Sequence, residues 1–293
     1  LGYLTKDQEI TIPERHLGLV PSEENIGHSN LYEKVGKMVQ ETIDIDGLFK
    51  AARSASAFPD YDKFIFRDRN GTLHANLAIA KDNAFCFYYQ DDIELFEALG
   101  AKIKYFSPLH DKCIPDDVDG IFIGGGFPEL NAGKLMENET MRESILDAHN
   151  NGTIIYGECG GMMYLLEKLI DCDGRSFKMC GVLCGTSGME NKRQGLGYII
   201  AEATSDNIIC KRGNTFRAHE FHWSKLLDVP DDTVFAYKTR KSNGKQSKTD
   251  GICRKNVLAS YTHVHFSSNP ELAKNILSTM VKTSRNKLVA ERQ

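Results

Sequence analysis

An α/β fold, built on a mostly parallel twisted sheet flanked by helices and extended by antiparallel strands, is predicted for most of this 293-residue chain. Three observations predict it. From residue 73 onward, short β-branched or apolar runs alternate with segments of helical periodicity, the pattern left by crossovers between parallel strands. Two of those runs open directly into glycine turns, at 124–126 and 160–161, and open parallel sheets place their sites at such strand ends. Between residues 179 and 236 strand-like and turn-like runs take over, so the antiparallel additions belong there.

The elements follow in order. Residues 1–60 hold a short apolar start, the turn-rich Pro13-Glu14-Arg15-His16-Leu17-Gly18-Leu19, and a helical pattern over 29–49. In that pattern Leu31, Val35, Met38, Val39, Thr42 and Ile43 recur at helical spacing, with Ser29 or Asn30 as cap. A second short helix and a linker fill 44–60. The opening Leu1-Gly2-Tyr3-Leu4 lacks an initiator methionine and reads as the tail of a buried strand, so the chain is expected to be a fragment. Residues 1–60 then form the remnant of one domain, and residues 61–293 form a second. In the second domain strands are predicted at 76–80, 102–106, 120–124 and 153–156, with helices at 91–99, 139–150 and 161–169. Residues 238–248 read as a polar, lysine-rich hairpin tip; 257–266 is a last strand ending at two histidines, and 270–281 is a closing helix.

Charge and composition exclude several function classes. With 36 basic against 40 acidic residues, the chain offers no basic field for nucleic acid or an anionic membrane. No apolar run approaches the ~20 residues of a membrane helix, and the start has no signal pattern, so a cytoplasmic protein is expected. Eight cysteines lack Cys-x-x-Cys spacing and are expected to be thiols, most of them small core residues. A homodimer is compatible with this surface, and nothing in the sequence assigns one.

The segment Thr153-Ile154-Ile155-Tyr156-Gly157-Glu158-Cys159-Gly160-Gly161 runs from a buried strand straight into a helix, with Cys159 at the turn. Small neighbours let the backbone take the strained corner that lifts an apex side chain into a cleft. A helix N-terminus also favours thiolate, so the position suits a nucleophile attacking a carbonyl. The competing reading is a small buried cysteine.

Asp119-Gly120-Ile121-Phe122-Ile123-Gly124-Gly125-Gly126-Phe127-Pro128 is a second strand leaving into a glycine loop, where backbone N–H groups at Gly125 or Gly126, with Gly160, suit an oxyanion. A phosphate loop ending at Gly133-Lys134 is excluded, because Pro128 stands where that motif needs glycine and Leu135 where it needs Ser or Thr. A merely structural turn is the alternative. A general base is expected at a strand end, and Ser260-Tyr261-Thr262-His263-Val264-His265-Phe266 supplies two histidines on one face. His-x-His also suits a metal, but no further ligands have recognisable spacing, so no metal is expected.

Together, Gly-Gly-Gly-Phe-Pro-Glu-Leu at 124–130, Tyr-Gly-Glu-Cys-Gly-Gly at 156–161 and Ser-Tyr-Thr-His-Val-His-Phe at 260–266 resemble the cobyrinate a,c-diamide synthase family. The likeness extends to Arg217-Ala218-His219-Glu220-Phe221-His222 and to the Pro-Glu-Arg-His-Leu-Gly-Leu-Val-Pro run at 13–21. It implies a triad-type glutamine amidotransferase fold, with Cys159 as nucleophile, His263 as its base, and Gly125, Gly126 and Gly160 around the oxyanion and L-glutamine. Related enzymes often carry glutamate two residues after the histidine, where His265 stands here. The group orienting His263 is therefore open, and Glu158, His265, Arg217, His219, Glu220 and His222 are candidates for orienting or interface roles. The resemblance implies no cofactor in this chain. For a complete enzyme it implies ATP and Mg2+ on an N-terminal ATP-binding domain, of which residues 1–60 would be the last part. The substrate implied is a tetrapyrrole, either cobyrinate, amidated at its a and c acetates, or nickel-sirohydrochlorin, and the residues do not separate the two. Rival readings are a non-catalytic tetrapyrrole-binding or scaffolding module, and another cysteine hydrolase on the same sheet.

Overall fold

Ala75-Asn76-Leu77-Ala78-Ile79-Ala80 is nearly all apolar because it forms a strand covered on both faces, as central parallel strands are. The computed structural model describes residues 1–11, 14–15, 18–19, 29–59, 71–241, 244 and 247–290. The chain divides into two compact units, Leu1–Phe64 and Ile65–Gln293.

In the first unit β1 (Glu14–Arg15) pairs antiparallel with β2 (Gly18–Leu19), and two helices follow, α1 (Ser29–Thr42) and α2 (Ile45–Arg53). The helical pattern expected over 29–49 is thus broken, because the Asp44 carboxylate accepts from Gly47 N at 2.8 Å and caps a new helix. Apart from β1 and β2, the turn-rich stretch 13–21 lies outside the described residues.

The second unit is organised by a ten-stranded sheet. Its parallel half comprises β3 (Ala75–Ala80), β4 (Ala101–Phe106), β5 (Gly120–Ile123) and β6 (Ile154–Glu158). A small four-stranded sheet uses β7 (Lys168–Ile170), β8 (Ser176–Lys178), β9 (Thr186–Met189) and a later strand, β12. The remaining strands are β10 (Gly195–Ala203), β11 (Thr215–His222), β12 (Ser224–Leu227), β13 (Phe235–Lys241), β14 (Ser247–Arg254), β15 (Val257–Ser260) and β16 (Thr262–His263). The large sheet runs β16-β11-β10-β13-β14-β15-β6-β5-β3-β4. β15 joins β6 in parallel, and the strands beyond it are antiparallel. Helices α3 (Gln90–Ala98), α4 (Ala132–Glu137), α5 (Glu139–Asn150), α6 (Gly160–Leu165) and α7 (Pro270–Ala290) complete the unit.

Strand alternation divides the core in two. Leu77, Ile79, Phe122 and Tyr156 meet Phe96 of α3, Phe266 and Met280 of α7 on one side. Ala78, Ile121, Ile123, Ile155 and Cys159 meet Met141, Ile145 and Met162 on the other.

Three sequence-predicted elements differ. The strand expected over 257–266 is two strands in different places, because the buried Asp250 carboxylate takes Tyr261 N at 3.1 Å and Thr262 N at 2.8 Å and turns the chain from β15 toward β11. The helix expected over 161–169 stops at Leu165, and Lys168–Ile170 joins the small sheet instead. Lys238 to Lys241 belongs to β13, so the β13–β14 ladder reaches further into the polar 238–248 stretch than expected; most of the tip lies outside the described residues.

Candidate active site

Cys159 is the corner between β6 and α6, with φ 48° and ψ −100° in a region that side chains rarely enter. The flanking glycines are dictated by packing. A Cβ on Gly157 would stand 2.8 Å from Leu165 Cδ1, and one on Gly161 would stand 1.9 Å from Ile123 O. A Cβ on Gly160 would come within 3.1 Å of Gly126 N, so the elbow and the glycine loop after β5 face each other at close range. The loop itself is pinned: Gly125 O accepts from Cys86 N and Phe87 N at 3.0 Å each, and Gly124 N donates to Tyr88 Oη at 2.8 Å.

His263, at the end of β16, lies against the same loop. A Cβ on Gly125 would be 2.7 Å from His263 Cε1. Its Nδ1 is 3.7 Å from Glu158 Oε2. The structure thus sets Cys159 and Gly160 beside Gly126, and His263 against Gly125 and Glu158.

Electrostatics corrects one expectation. Burial outweighs the helix in the resting site: it pushes the Cys159 pKa well up, and Glu129, Glu158 and Asp250 add to this, against the N–H of Gly160 at the start of α6, which lowers it. The helix has only six residues, and the sulfur sits under β11, 3.8 Å from Phe221 O. Burial thus favours the protonated thiol, and a neighbouring base would be needed for it to act as a nucleophile. Burial pulls His263 down to about 4, with His219 and His222 contributing, so its imidazole is neutral and able to accept a proton. Burial raises Glu158 to about 8, against hydrogen bonds from Val264 N and Tyr156 Oη that favour the carboxylate. The attraction between a protonated His263 and an ionised Glu158 works against both shifts.

Two cavities meet at His263. One, of about 310 Å³, is lined by Cys86, Phe87, Tyr88, Tyr89, Phe221 and the His219–His263 pair. The other, of about 680 Å³, has Tyr89, Tyr198, Arg217, His219, His263 and His265 on its walls. Strand alternation along β11 directs Arg217 and His219 to these cavities and turns Glu220 and His222 away. Glu220 pairs with Lys248 at 2.7 Å, while His222 bonds Ser224 O at 2.7 Å and stacks on Tyr261 at 4.0 Å. His265 pairs with Asp91 at 3.2 Å and packs on Tyr89. With Asp92 they gather three ligand-type atoms within 4.8 Å, yet Asp92 already accepts Ser267 N at 2.8 Å. Sequence reasoning missed Cys86 to Tyr89 and Phe221. The aromatic run after β3 was a usable signal, and Phe221 stood inside the 217–222 motif, although a contact through its carbonyl oxygen leaves no mark on the side chain.

A family model for the CobB/CobQ-like glutamine amidotransferase domain matches residues 76–271, which include both glycine turns, Cys159 and His263. The chain belongs to this family. A cobyrinate a,c-diamide synthase of Dehalococcoides mccartyi is 40% identical over 281 residues, covering 94% of this chain and 60% of that protein. Another, from Methanothermobacter thermautotrophicus, is 39% identical over 275 residues with the same coverages. The chain thus spans about 60% of the length of these relatives. Among solved structures, PurLQS from Thermotoga maritima aligns with TM-score 0.52 at 18% identity, covering 71% of this chain and 98% of that one. A glutamine amidotransferase aligns with TM-score 0.51 at 15% identity, covering 70% and 98%. These two share the fold. Gly133 and Lys134 stand in the first turn of α4, but Pro128 and Leu135 occupy positions where a phosphate loop has Gly and Ser or Thr.

Proposed function

We propose that this chain is the ammonia-releasing part of a cobyrinate a,c-diamide synthase. L-glutamine enters the cavity beside His263 and Phe221. His263 takes the Cys159 proton, the sulfur attacks the side-chain amide carbon, and His263 returns the proton to the departing ammonia. Water then cleaves the γ-glutamyl thioester to glutamate. Backbone N–H groups of Gly125 or Gly126 and of Gly160 hold the oxyanion, each donor contributing about 2.7–4 kcal/mol. The observation that carries this reading is the convergence of the positive-φ elbow, the Gly124–Gly126 loop and the His263 ring edge.

In the complete enzyme, ammonia would amidate the a and c acetates of the corrinoid after activation with ATP and Mg2+ on a companion ATP-binding domain. The shared name of the relatives favours cobyrinate over nickel-sirohydrochlorin. Eight free thiols fit a cytoplasmic location. The test is glutamate release from glutamine, together with labelling by a diazoketone glutamine analogue. Cys159→Ala is expected to abolish both while keeping the circular dichroism spectrum. Equal rates in variant and wild type would remove Cys159 from the chemistry.

A further inference from the structure

We infer that Glu158, the residue immediately before the nucleophile, is the positioning carboxylate of His263. The inference rests on the reading of Cys159 and His263 as nucleophile and base.

A histidine base needs a partner for the ring nitrogen that faces away from the nucleophile, to fix the tautomer and balance the positive charge that forms. The residue two places on, His265, is turned elsewhere, with its Nε2 3.2 Å from Asp91 and its ring on Tyr89. Asp92 is committed to Ser267 N. Among the described residues, the carboxylate within 4.0 Å of the His263 ring is Glu158.

Its geometry is directional. Glu158 is buried, and Oε1 accepts from Tyr156 Oη at 2.7 Å and from Val264 N at 2.9 Å. Those two bonds fix the carboxylate plane and leave Oε2 as the oxygen toward His263 Nδ1. Val264 is the next residue after His263, so the carboxylate holds the backbone that carries the imidazole and turns its second oxygen toward the ring. The separation of 3.7 Å exceeds a hydrogen bond, and a ring shift of less than an ångström closes it, as catalytic contacts often tighten only with substrate bound.

The proton balance is closed. The Sγ proton moves to His263 Nε2, the Nδ1 proton stays on the ring and points at Oε2, and the Nε2 proton leaves with ammonia. Other titratable groups around this pair are Cys159, Tyr88, Tyr89, Tyr156, Tyr237 and Asp92 beside Glu158, and His219 and His222 beside His263.

The test uses Glu158→Gln and Glu158→Asp in this chain. In Glu158→Gln the amide oxygen keeps the bonds from Tyr156 and Val264, and the NH2 group then donates to Nδ1. That forces the proton onto Nε2, the wrong tautomer for a base. The kcat for glutamate release is expected to fall about a hundred- to ten-thousand-fold, with KM for glutamine within about threefold and circular dichroism unchanged. The pH–rate profile should lose the rising limb that belongs to Glu158, and Glu158→Asp should recover part of kcat. Wild-type kcat and an unchanged pH profile in Glu158→Gln would overturn the inference. So would a loss appearing in KM alone. Wild type that releases no glutamate, or Cys159→Ala that matches it, would instead overturn the underlying reading.

Discussion

An alanine at position 125 would place its Cβ 2.7 Å from His263 Cε1 and 3.3 Å from Phe87 Cδ2. Both obstacles are side chains, so the backbone tolerates the change and the imidazole is displaced. Gly125→Ala is therefore expected to reduce glutaminase kcat about tenfold or more, while costing no more than about 1–3 kcal/mol of stability. Steady-state glutamate release with a denaturant melt separates the two, and full kcat in a folded variant would place the ring elsewhere. At this scale the strand-to-helix corner at Cys159 and its glycines were legible, because a strand running into small residues has one economical geometry. The resting state of the thiol was not. Part of its burial comes from β11, over sixty positions away, where Phe221 O lies 3.8 Å from the sulfur. Glu158 was visible as one of six candidates for orienting His263 but was not singled out, since its approach to the ring depends on where β16 docks.

Helix α6 rests on the backbone of β5 with no side chain between them. A Cβ at Gly161 would meet Ile123 O at 1.9 Å and Ile123 C at 2.7 Å, both main-chain atoms that cannot rotate aside. Gly161→Ala is accordingly expected to lower unfolding free energy by about 2–3 kcal/mol or to force α6 off the sheet, and an unchanged denaturant midpoint would refute this packing. The parallel half of the large sheet was legible from alternating periodicity, and helix 139–150 has the bounds that periodicity gave. The break after β15 and the end of α6 at Leu165 were not. The first is imposed by Asp250, and the second by pairing of Lys168–Ile170 with β8 and β9, partners that periodicity cannot name.

For the molecule as a whole, the buried pair at the site links function to stability through pH. Glu158 has its pKa raised from the ordinary 4.5 to about 8, so its contribution to stability is complete below 4.5 and is lost as pH rises through 8. His263 is lowered from 6.5 to about 4, so its contribution is complete above 6.5 and is lost as pH falls through 4. Between pH 6.5 and 8 the folded histidine is neutral and the unfolded one passes from half protonated to neutral, a small opposing change shared by wild type and the Glu158 variant, so Glu158 carries the difference between them. There the unfolded chain releases a proton that the folded chain retains, and wild type should lose stability at up to about 1.4 kcal/mol per pH unit from this residue. Glutamine at 158 does not titrate and removes that slope. Glu158→Gln measured against wild type by chemical unfolding should therefore gain about 1–2 kcal/mol in relative stability between pH 6.5 and 8. A difference that stays constant over that window would mean that Glu158 is already ionised when folded, with His263 Nδ1–H as the donor that keeps it so.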